Sequence, residues 1–301
     1  MKNETKGAIF LGIASVLVVV TMDCQEALGK TKLQEGEDAN QKRDFDQAIR
    51  CFTEAIRLDP KDRKAHFGRG FAYQQKLDHE KAIVDFTEAI RLDPKDYKAY
   101  INRGGEYAHT GRYGKALTDD AEAIRLNPRD AATYFNRGMV YDDLGELDKA
   151  IADYTEAIRL GLILSDLHYN RGVTFGRKGD TDKAIADYTE AIRIDPKNAR
   201  ALCNRGFAYD GKGKLEQAIA DFSAAIHANP KLAAAYGGRG NVWVRKGNLD
   251  RAIVDYTEAI RLNPKDANSR YNRGIVYKTQ GEDTKAEADF AEAKKLGFRG
   301  E

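Results

Sequence analysis

The dipeptide Arg-Gly recurs at a fixed spacing of 34 residues along most of this 301-residue chain. Its seven copies are Arg69-Gly70, Arg103-Gly104, Arg137-Gly138, Arg171-Gly172, Arg205-Gly206, Arg239-Gly240 and Arg273-Gly274. One further step toward the N-terminus reaches Glu35-Gly36, which indicates a first, degenerate copy. A fixed period of this length is typical of repeat proteins, in which each unit packs mainly on its neighbours. The spacing therefore predicts eight units that together fill residues 29–300.

Each unit carries two segments with the apolar spacing of amphipathic helices. In residues 131–164, apolar residues from Leu147 to Leu160 recur at steps of three and four, which is typical of a helix. Gly145 separates the two segments, and glycine suits the left-handed end of a helix. The six prolines share one repeat position, where they would stop the second helix: Pro60, Pro94, Pro128, Pro196, Pro230 and Pro264. The pattern predicts an all-α fold of helix–turn–helix units, at 29–62, 63–96, 97–130, 131–164, 165–198, 199–232, 233–266 and 267–300.

The unit resembles the tetratricopeptide repeat, whose pattern sets aromatic residues, glycine, alanines and proline at fixed offsets. In residues 233–266 the matching residues are Tyr236, Gly240, Trp243, Ala252, Tyr256, Ala259 and Pro264. The resemblance implies a right-handed superhelical solenoid of eight repeats. It also implies that the first helices line a concave groove that holds an extended peptide or a partner helix.

Two charged positions depart from the family pattern together. Arg stands before the repeat glycine in seven units, where Leu is usual, and Asp follows sixteen residues later in seven units. The first unit has Glu35 and Cys51 at these two positions and so lacks both partners. This joint loss predicts an Arg–Asp ion pair within each unit, for example Arg137 with Asp153. General drift of the first unit is the alternative interpretation.

The resemblance places the groove at the second, fifth, sixth, ninth, twelfth and thirteenth positions of each unit. The sixth position holds asparagine in five units: Asn102, Asn136, Asn170, Asn204 and Asn272. An amide both donates and accepts hydrogen bonds, so a row of amides is suited to an extended peptide backbone. This asparagine ladder resembles that of O-GlcNAc transferases, without their catalytic domain. Apolar groove residues are predicted to hold the side chains of the peptide: Phe135, Met139, Tyr169, Val173 and Phe207. Copying of asparagine by duplication, without a role in binding, is the alternative.

The composition favours a protein partner over nucleic acid or a reaction. Lys and Arg number 49 against 47 Asp and Glu, so the chain has no excess of basic residues for nucleic acid. The five histidines have no metal-ligand spacing, and no acid, base and nucleophile converge in the sequence. We therefore predict a scaffold that is not an enzyme and uses no cofactor or metal. A structural, self-associating solenoid remains the alternative, and the oligomeric state stays open.

Residues 1–28 differ from the repeats. Lys2 and Lys6 precede an apolar run over residues 8–20, which resembles a secretory signal. The run is short for a membrane span, which needs about 20 residues. We predict export, or membrane attachment through residues 7–22, with the repeats on the extracytoplasmic side. A helix packed on the first repeat of a cytoplasmic protein is the alternative.

Two further irregularities interrupt the repeat. Asp120 stands where the other units have Phe or Tyr, and a buried carboxylate costs stability unless it is paired. This change indicates either local loosening or a functional irregularity. The fourth unit lacks its proline and reads Gly-Leu-Ile-Leu at 161–164, which suggests either packing between units or a self-association patch.

Overall fold

The computed structural model describes residues 25–298. The chain forms two compact units that each contain several repeats: the first unit is residues 1–144 and the second unit is residues 145–301. Every regular element in the described range is an α-helix, which confirms the predicted all-α repeat fold. The signal-like run at 7–22 lies outside the described residues. From residue 25 to residue 298, no helix combines the length and apolar character needed to cross a membrane.

The first unit contains seven helices in the described range. They are α1 (25–41), α2 (Phe45–Leu58), α3 (Arg63–Gln75), α4 (His79–Leu92), α5 (Tyr97–His109), α6 (Tyr113–Leu126) and α7 (Ala131–Asp143). Each helix packs on the next one in the chain, from α2 to α7. The first unit is therefore a stack of helical hairpins.

The second unit contains nine helices in the described range. They are α8 (Leu147–Arg159), α9 (Ser165–Arg177), α10 (Thr181–Ile194), α11 (Ala199–Gly211), α12 (Leu215–Ala228), α13 (Ala233–Arg245), α14 (Leu249–Leu262), α15 (Ala267–Thr279) and α16 (Asp283–Lys295). Each of these helices also packs on its successor. The second unit is a stack of the same kind.

The first helices of the repeats lie on the inner side of each stack. In the first unit α5 contacts both α3 and α7, and in the second unit α11 contacts both α9 and α13. Within the described part of each unit, the second helices of successive repeats do not contact one another. Helices that touch on one side and separate on the other curve the stack toward the touching side, so each unit is concave along its first helices.

The ends of the helices follow from local residue chemistry. The Asp96 carboxylate accepts hydrogen bonds from the backbone amides of Lys98 and Ala99, which caps the start of α5. The turn inside each hairpin passes through a residue with positive φ, such as Gly111 at 71°. Leu77 takes this position between α3 and α4, also with a positive φ of 60°.

A ring from the second helix lies against the glycine of the Arg-Gly dipeptide. At Gly240, an added β-carbon would come within 2.8 Å of the Tyr256 ring, and at Gly206 within 2.9 Å of the Phe222 ring. Such distances leave no room for a side chain. The glycine therefore recurs because the two helices of one hairpin approach closely.

The predicted Arg–Asp ion pair is present within the repeats and has a further partner. Arg239 donates from Nε and Nη2 to the Asp255 carboxylate, each at 2.8 Å, and from Nη1 to the Ser223 hydroxyl of the preceding repeat at 2.9 Å. The same two-pronged ion pair joins Arg69 to Asp85, Arg103 to Asp119, Arg171 to Asp187, Arg205 to Asp221 and Arg273 to Asp289. Each of these arginines also donates to a threonine of the preceding repeat. One guanidinium thus holds a hairpin together and joins it to its neighbour.

Candidate functional site

The concave side of the first unit contains a large cavity over its first three repeats. The cavity has a volume of about 850 Å³, and Phe67, Phe71, Lys64 and Lys98 are among its lining residues. These residues occupy groove positions on α3 and α5. The two aromatic side chains are half-buried, and the lining also includes the carboxylates of Glu37, Asp93 and Asp96, so this cavity offers apolar surface between charges of both signs.

A second cavity of about 330 Å³ lies farther along the same side. It brings together three predicted site residues, Asn102, Asn136 and Met139. Ile101 and the carboxylate of Asp120 also line it. The structure therefore places part of the predicted groove on one continuous wall, formed by α5 and α7.

The ladder asparagines of the first unit, Asn102 and Asn136, are both half-buried. Asn102 donates from its amide to the backbone carbonyl of Lys98 at 2.7 Å, within α5. Asn102 also lines the smaller cavity. Phe135 is half-buried beside Asn136, whereas Met139 is exposed.

In the second unit, Asn204 is part of a polar and aromatic cluster. Its amide donates to the Tyr169 hydroxyl at 3.4 Å, and it also hydrogen-bonds the hydroxyl of Tyr188. Burial raises the pKa of Tyr188 to about 12, against the opposing effect of that hydrogen bond. The Arg200 guanidinium lies 4.7 Å from the centre of the Tyr169 ring. Asn204 therefore already has partners within the protein.

Asn272 is bound in a similar way. Its amide donates to the Asn241 side-chain oxygen at 3.0 Å, and the same oxygen accepts from the Tyr256 hydroxyl at 2.7 Å. Of the remaining predicted residues in this unit, Phe207 is exposed and packs edge-on against Phe222, while Asn170 and Val173 are half-buried. Three of the ladder asparagines, Asn102, Asn204 and Asn272, thus hydrogen-bond within the protein.

In five of six cases the residue at the ladder position matches the ring of the preceding repeat, with glycine after Phe and asparagine after Tyr, a pairing that sequence reasoning missed. Phe52 and Phe222 precede glycines at this position, and a β-carbon on Gly68 or Gly238 would come within 2.6 Å of those rings. Tyrosine precedes asparagine in three cases: Tyr154 with Asn170, Tyr188 with Asn204 and Tyr256 with Asn272. The exception is Phe86, which precedes Asn102. Comparing position 24 of each unit with position 6 of the next would have revealed this pairing.

The third repeat also contains a buried carboxylate that the sequence analysis did not identify. Glu106 is fully buried and accepts hydrogen bonds from Gln74 at 2.8 Å, with His79 Nδ1 at 2.6 Å from its other oxygen. The aligned residues of the fourth and seventh repeats are Val140 and Val242. The core of the third repeat is therefore more polar than that of its counterparts.

A histidine joins the Arg–Asp pair in two repeats. In the second repeat, His66 Nδ1 lies 3.4 Å from the Asp85 carboxylate. Burial by itself would raise the pKa of Asp85, but the hydrogen bonds from Arg69 and His66 outweigh it and hold that pKa below its usual value. The hydrogen bond to Asp85 raises the pKa of His66. His66, Arg69 and Asp85 therefore bond one another within the second repeat.

The part of the chain from residue 25 to residue 298 offers no metal site, and the Cys203 thiol is buried. No cluster of three or more His, Cys, Asp or Glu side chains there has the arrangement of a metal site. Burial raises the pKa of Cys203 to about 12, which keeps its thiol protonated. The concave cavities are therefore the features of the described chain that best suit a ligand.

Family models identify the repeats. The model described as "TPR repeat" matches residues 38–76, 175–213 and 240–281, and that described as "Tetratricopeptide repeat" matches 64–96, 131–160 and 199–232. Together these segments cover more than half of the chain. The chain belongs to the tetratricopeptide repeat family. No curated protein matches the sequence of this tetratricopeptide repeat protein.

Solved structures share the tetratricopeptide repeat fold at low sequence identity. YrrB, described as a TPR protein with an unusual peptide-binding site, is 22% identical with a TM-score of 0.55, over 65% of this chain and 97% of its own. A tetratricopeptide repeat protein from Parabacteroides merdae is 22% identical with a TM-score of 0.59, over 79% of this chain and 94% of its own. PilF of Pseudomonas aeruginosa is 18% identical with a TM-score of 0.62, over 70% of this chain and 96% of its own. These similarities show the fold.

Proposed function

We propose that this tetratricopeptide repeat protein is a scaffold that holds an extended peptide or protein segment against the first helices of its repeats. The observation that carries the proposal is the concave wall of the first unit. There, Asn102, Asn136 and Met139 line one cavity, and Phe67 and Phe71 line another. Membership of a family of interaction modules and the peptide-binding site named for YrrB support the same conclusion.

The chemistry of this wall suits a peptide because it combines amide groups with apolar surface. The amides of Asn102 and Asn136 supply donors and acceptors for a peptide backbone, whose own groups lose water on binding. Met139 is an adaptable apolar side chain that is 37% exposed. In the second unit, Asn170, Tyr169 and Phe207 are proposed to act in the same way, while Asn204 and Asn272 would do so by exchanging their internal hydrogen bonds for bonds to the peptide.

The test is selection from a phage-displayed library of random decapeptides, followed by fluorescence anisotropy of the selected peptides. Asn136→Ala combined with Met139→Ala should weaken binding at least tenfold, since it removes one polar and one apolar contact. Val84→Ala is the matched control, because Val84 is an exposed apolar residue on the second helix α4. Equal affinity of wild type, the double variant and the control would exclude this wall as the binding surface.

Self-association is a second candidate function, favoured by one observation in the second unit. Ile163, in the loop before α9, is 72% exposed, and Leu164 beside it is also exposed. Adjacent exposed apolar residues in a loop are a common feature of contact surfaces. Sedimentation velocity over a hundredfold range of concentration should show association that Ile163→Ser abolishes. A concentration-independent monomer would exclude this function.

A further inference from the structure

The smaller cavity of the first unit exists because the third repeat lacks a ring. At the position of Asp120, the seven other repeats carry an aromatic residue: Phe52, Phe86, Tyr154, Tyr188, Phe222, Tyr256 and Phe290. In the second repeat the Phe86 ring lies 3.0 Å from the β-carbon that Gly70 would carry. In the third repeat the nearest atom to the corresponding point on Gly104 is Oδ1 of Asp120, at 3.1 Å. A carboxylate thus faces space that a ring occupies elsewhere.

A second small residue opens the same cavity toward the concave side. Gly105 occupies the ninth position of the repeat, where the second and fourth repeats carry Phe71 and Met139. A β-carbon on Gly105 would meet no atom within 4 Å. The missing ring and the missing side chain together create a pocket of about 330 Å³, which is within the size range of ligand sites.

The titratable groups that line this pocket are the carboxylates of Asp120 and Asp143 and the imidazole of His109. Asp120 is 2% exposed, whereas Asp143 on α7 is exposed, so the two carboxylates lie at different depths. Neither Lys nor Arg is among the described residues that line the pocket. Ile101, Met139 and Val140 supply apolar surface between the polar groups. A ligand that complements this lining has an apolar stem and a cationic end.

We propose that the pocket takes a lysine or arginine side chain of the bound peptide, with its cationic group at the carboxylate of Asp120. The methylene stem would lie along Ile101 and Met139, while the ammonium or guanidinium group reaches the buried end. Attraction between opposite charges is stronger there than in water because the local dielectric is low. This inference rests on the proposed function, since it names the side chain by which a peptide on α5 and α7 would be selected.

The test uses arrays of decapeptides with nine randomised positions and one fixed central residue. The fixed residue is lysine, arginine, norleucine, citrulline or glutamate. Norleucine and citrulline keep the approximate shape of lysine and arginine but carry no charge. Wild-type protein should retain the lysine and arginine sets at least tenfold more strongly than the norleucine, citrulline and glutamate sets, because hydrogen bonds between charged groups are stronger than neutral ones.

Two variants separate charge from shape. Asp120→Asn keeps the size of the side chain and should abolish the preference for the cationic sets. Gly105→Met leaves Asp120 in place and extends a side chain into the open part of the pocket, so it should abolish the preference as well. Asp283→Asn, an exposed change in α16, is the matched control and should leave the preference intact. Circular dichroism would verify that all three variants keep their helical content.

The outcomes distinguish this inference from the proposed function. Binding of all five sets with equal strength by wild type would overturn the cationic pocket and leave peptide binding intact. Retention of the lysine and arginine preference by Asp120→Asn would overturn it as well. Failure of wild type to bind any set would overturn both. Loss of the preference in both pocket variants but not in Asp283→Asn would establish the pocket.

Discussion

The third repeat (97–130) and the seventh repeat (233–266) form the same helical hairpin but differ in the residue that packs between its two helices. In the seventh, the Tyr256 ring lies against Gly240, and its hydroxyl bonds to Asn241. In the third, Asp120 replaces the ring. Both repeats keep the Arg–Asp ion pair, at 2.8 Å between Arg103 and Asp119 and at 2.8 Å between Arg239 and Asp255. The Arg–Asp ion pair is thus common to both hairpins. The residue that follows its Asp determines whether the space beside the repeat glycine is filled by a ring, as with Tyr256, or left as a pocket, as with Asp120.

The largest expected effect on stability comes from placing an Asp in the seventh repeat at the position that Asp120 occupies in the third. Tyr256→Asp removes a buried ring, so the free energy of unfolding should fall by about 3–5 kcal/mol. Urea denaturation followed by circular dichroism would measure the change. The reciprocal Asp120→Tyr should leave stability unchanged or raise it, since it fills existing space. A comparable loss in both variants would mean that the third repeat is as tightly packed as the seventh.

Breaking the ion pair should destabilise both repeats by a smaller and similar amount. Asp255→Ala leaves the Arg239 guanidinium without its carboxylate and should lower the free energy of unfolding by about 1.5–3 kcal/mol. Asp119→Ala should do the same through Arg103. A double-mutant cycle with Arg239→Ala measures the coupling of the pair. Additive single effects would show that the pair does not maintain the hairpin.

Acid should weaken the repeats in which a histidine joins the pair. Burial tends to raise the pKa of Asp187, but hydrogen bonds from His168 and Arg171 outweigh it, so the folded-state pKa lies below that of the unfolded chain. This carboxylate therefore contributes stability above pH of about 4, which is lost as the pH falls through the folded-state pKa. The difference in unfolding free energy between wild type and Asp187→Asn should be largest above pH of about 5.

Urea titrations at intervals between neutral and strongly acidic pH would measure this difference. It should shrink toward the acidic end as Asp187 takes up its proton. A difference that stayed constant with pH would mean that Asp187 does not titrate below its unfolded value.

The turns inside the hairpins should show the smallest effect. Leu77 has a positive φ of 60° and is 74% exposed, so its side chain adds backbone strain and little packing. Leu77→Gly should raise the free energy of unfolding by about 1 kcal/mol. Gly247, with a φ of 74° in the seventh repeat, is the matched position, and Gly247→Leu should lower it by about the same amount. Urea midpoints that move in the same direction in both variants would contradict this account.

Features that recur in most repeats could be predicted from the sequence. The 34-residue period specifies the hairpins, and the joint loss of charge at Glu35 and Cys51 predicts the Arg–Asp pair. The hydroxyl of Thr53, Thr87 or Ser223 at the third guanidinium nitrogen recurs in the same way and could have been predicted too. Periodicity identifies such contacts because each is present in several copies.

Features that occur once required the three-dimensional structure. Asp120 was visible as an exception, but the sequence left loosening and function as open interpretations. The size of its cavity depends on Gly105 and on residues of α7, which only packing brings together. The partners of Glu106 come from the neighbouring repeat, with His79 lying 27 positions earlier. The prediction for residues 7–22 stays a prediction, as does the location of the protein in the cell.

Because one guanidinium joins two neighbouring repeats, one repeat of the second unit could replace another without losing this contact. Each arginine takes its carboxylate from its own repeat and its hydroxyl from the preceding one, as Arg239 does with Asp255 and Ser223. Excision of residues 199–232 would present Arg239 with Thr189, which supplies the same kind of hydroxyl. An array with this bonding can gain or lose a whole repeat by duplication or deletion and still keep the guanidinium contact between neighbouring repeats.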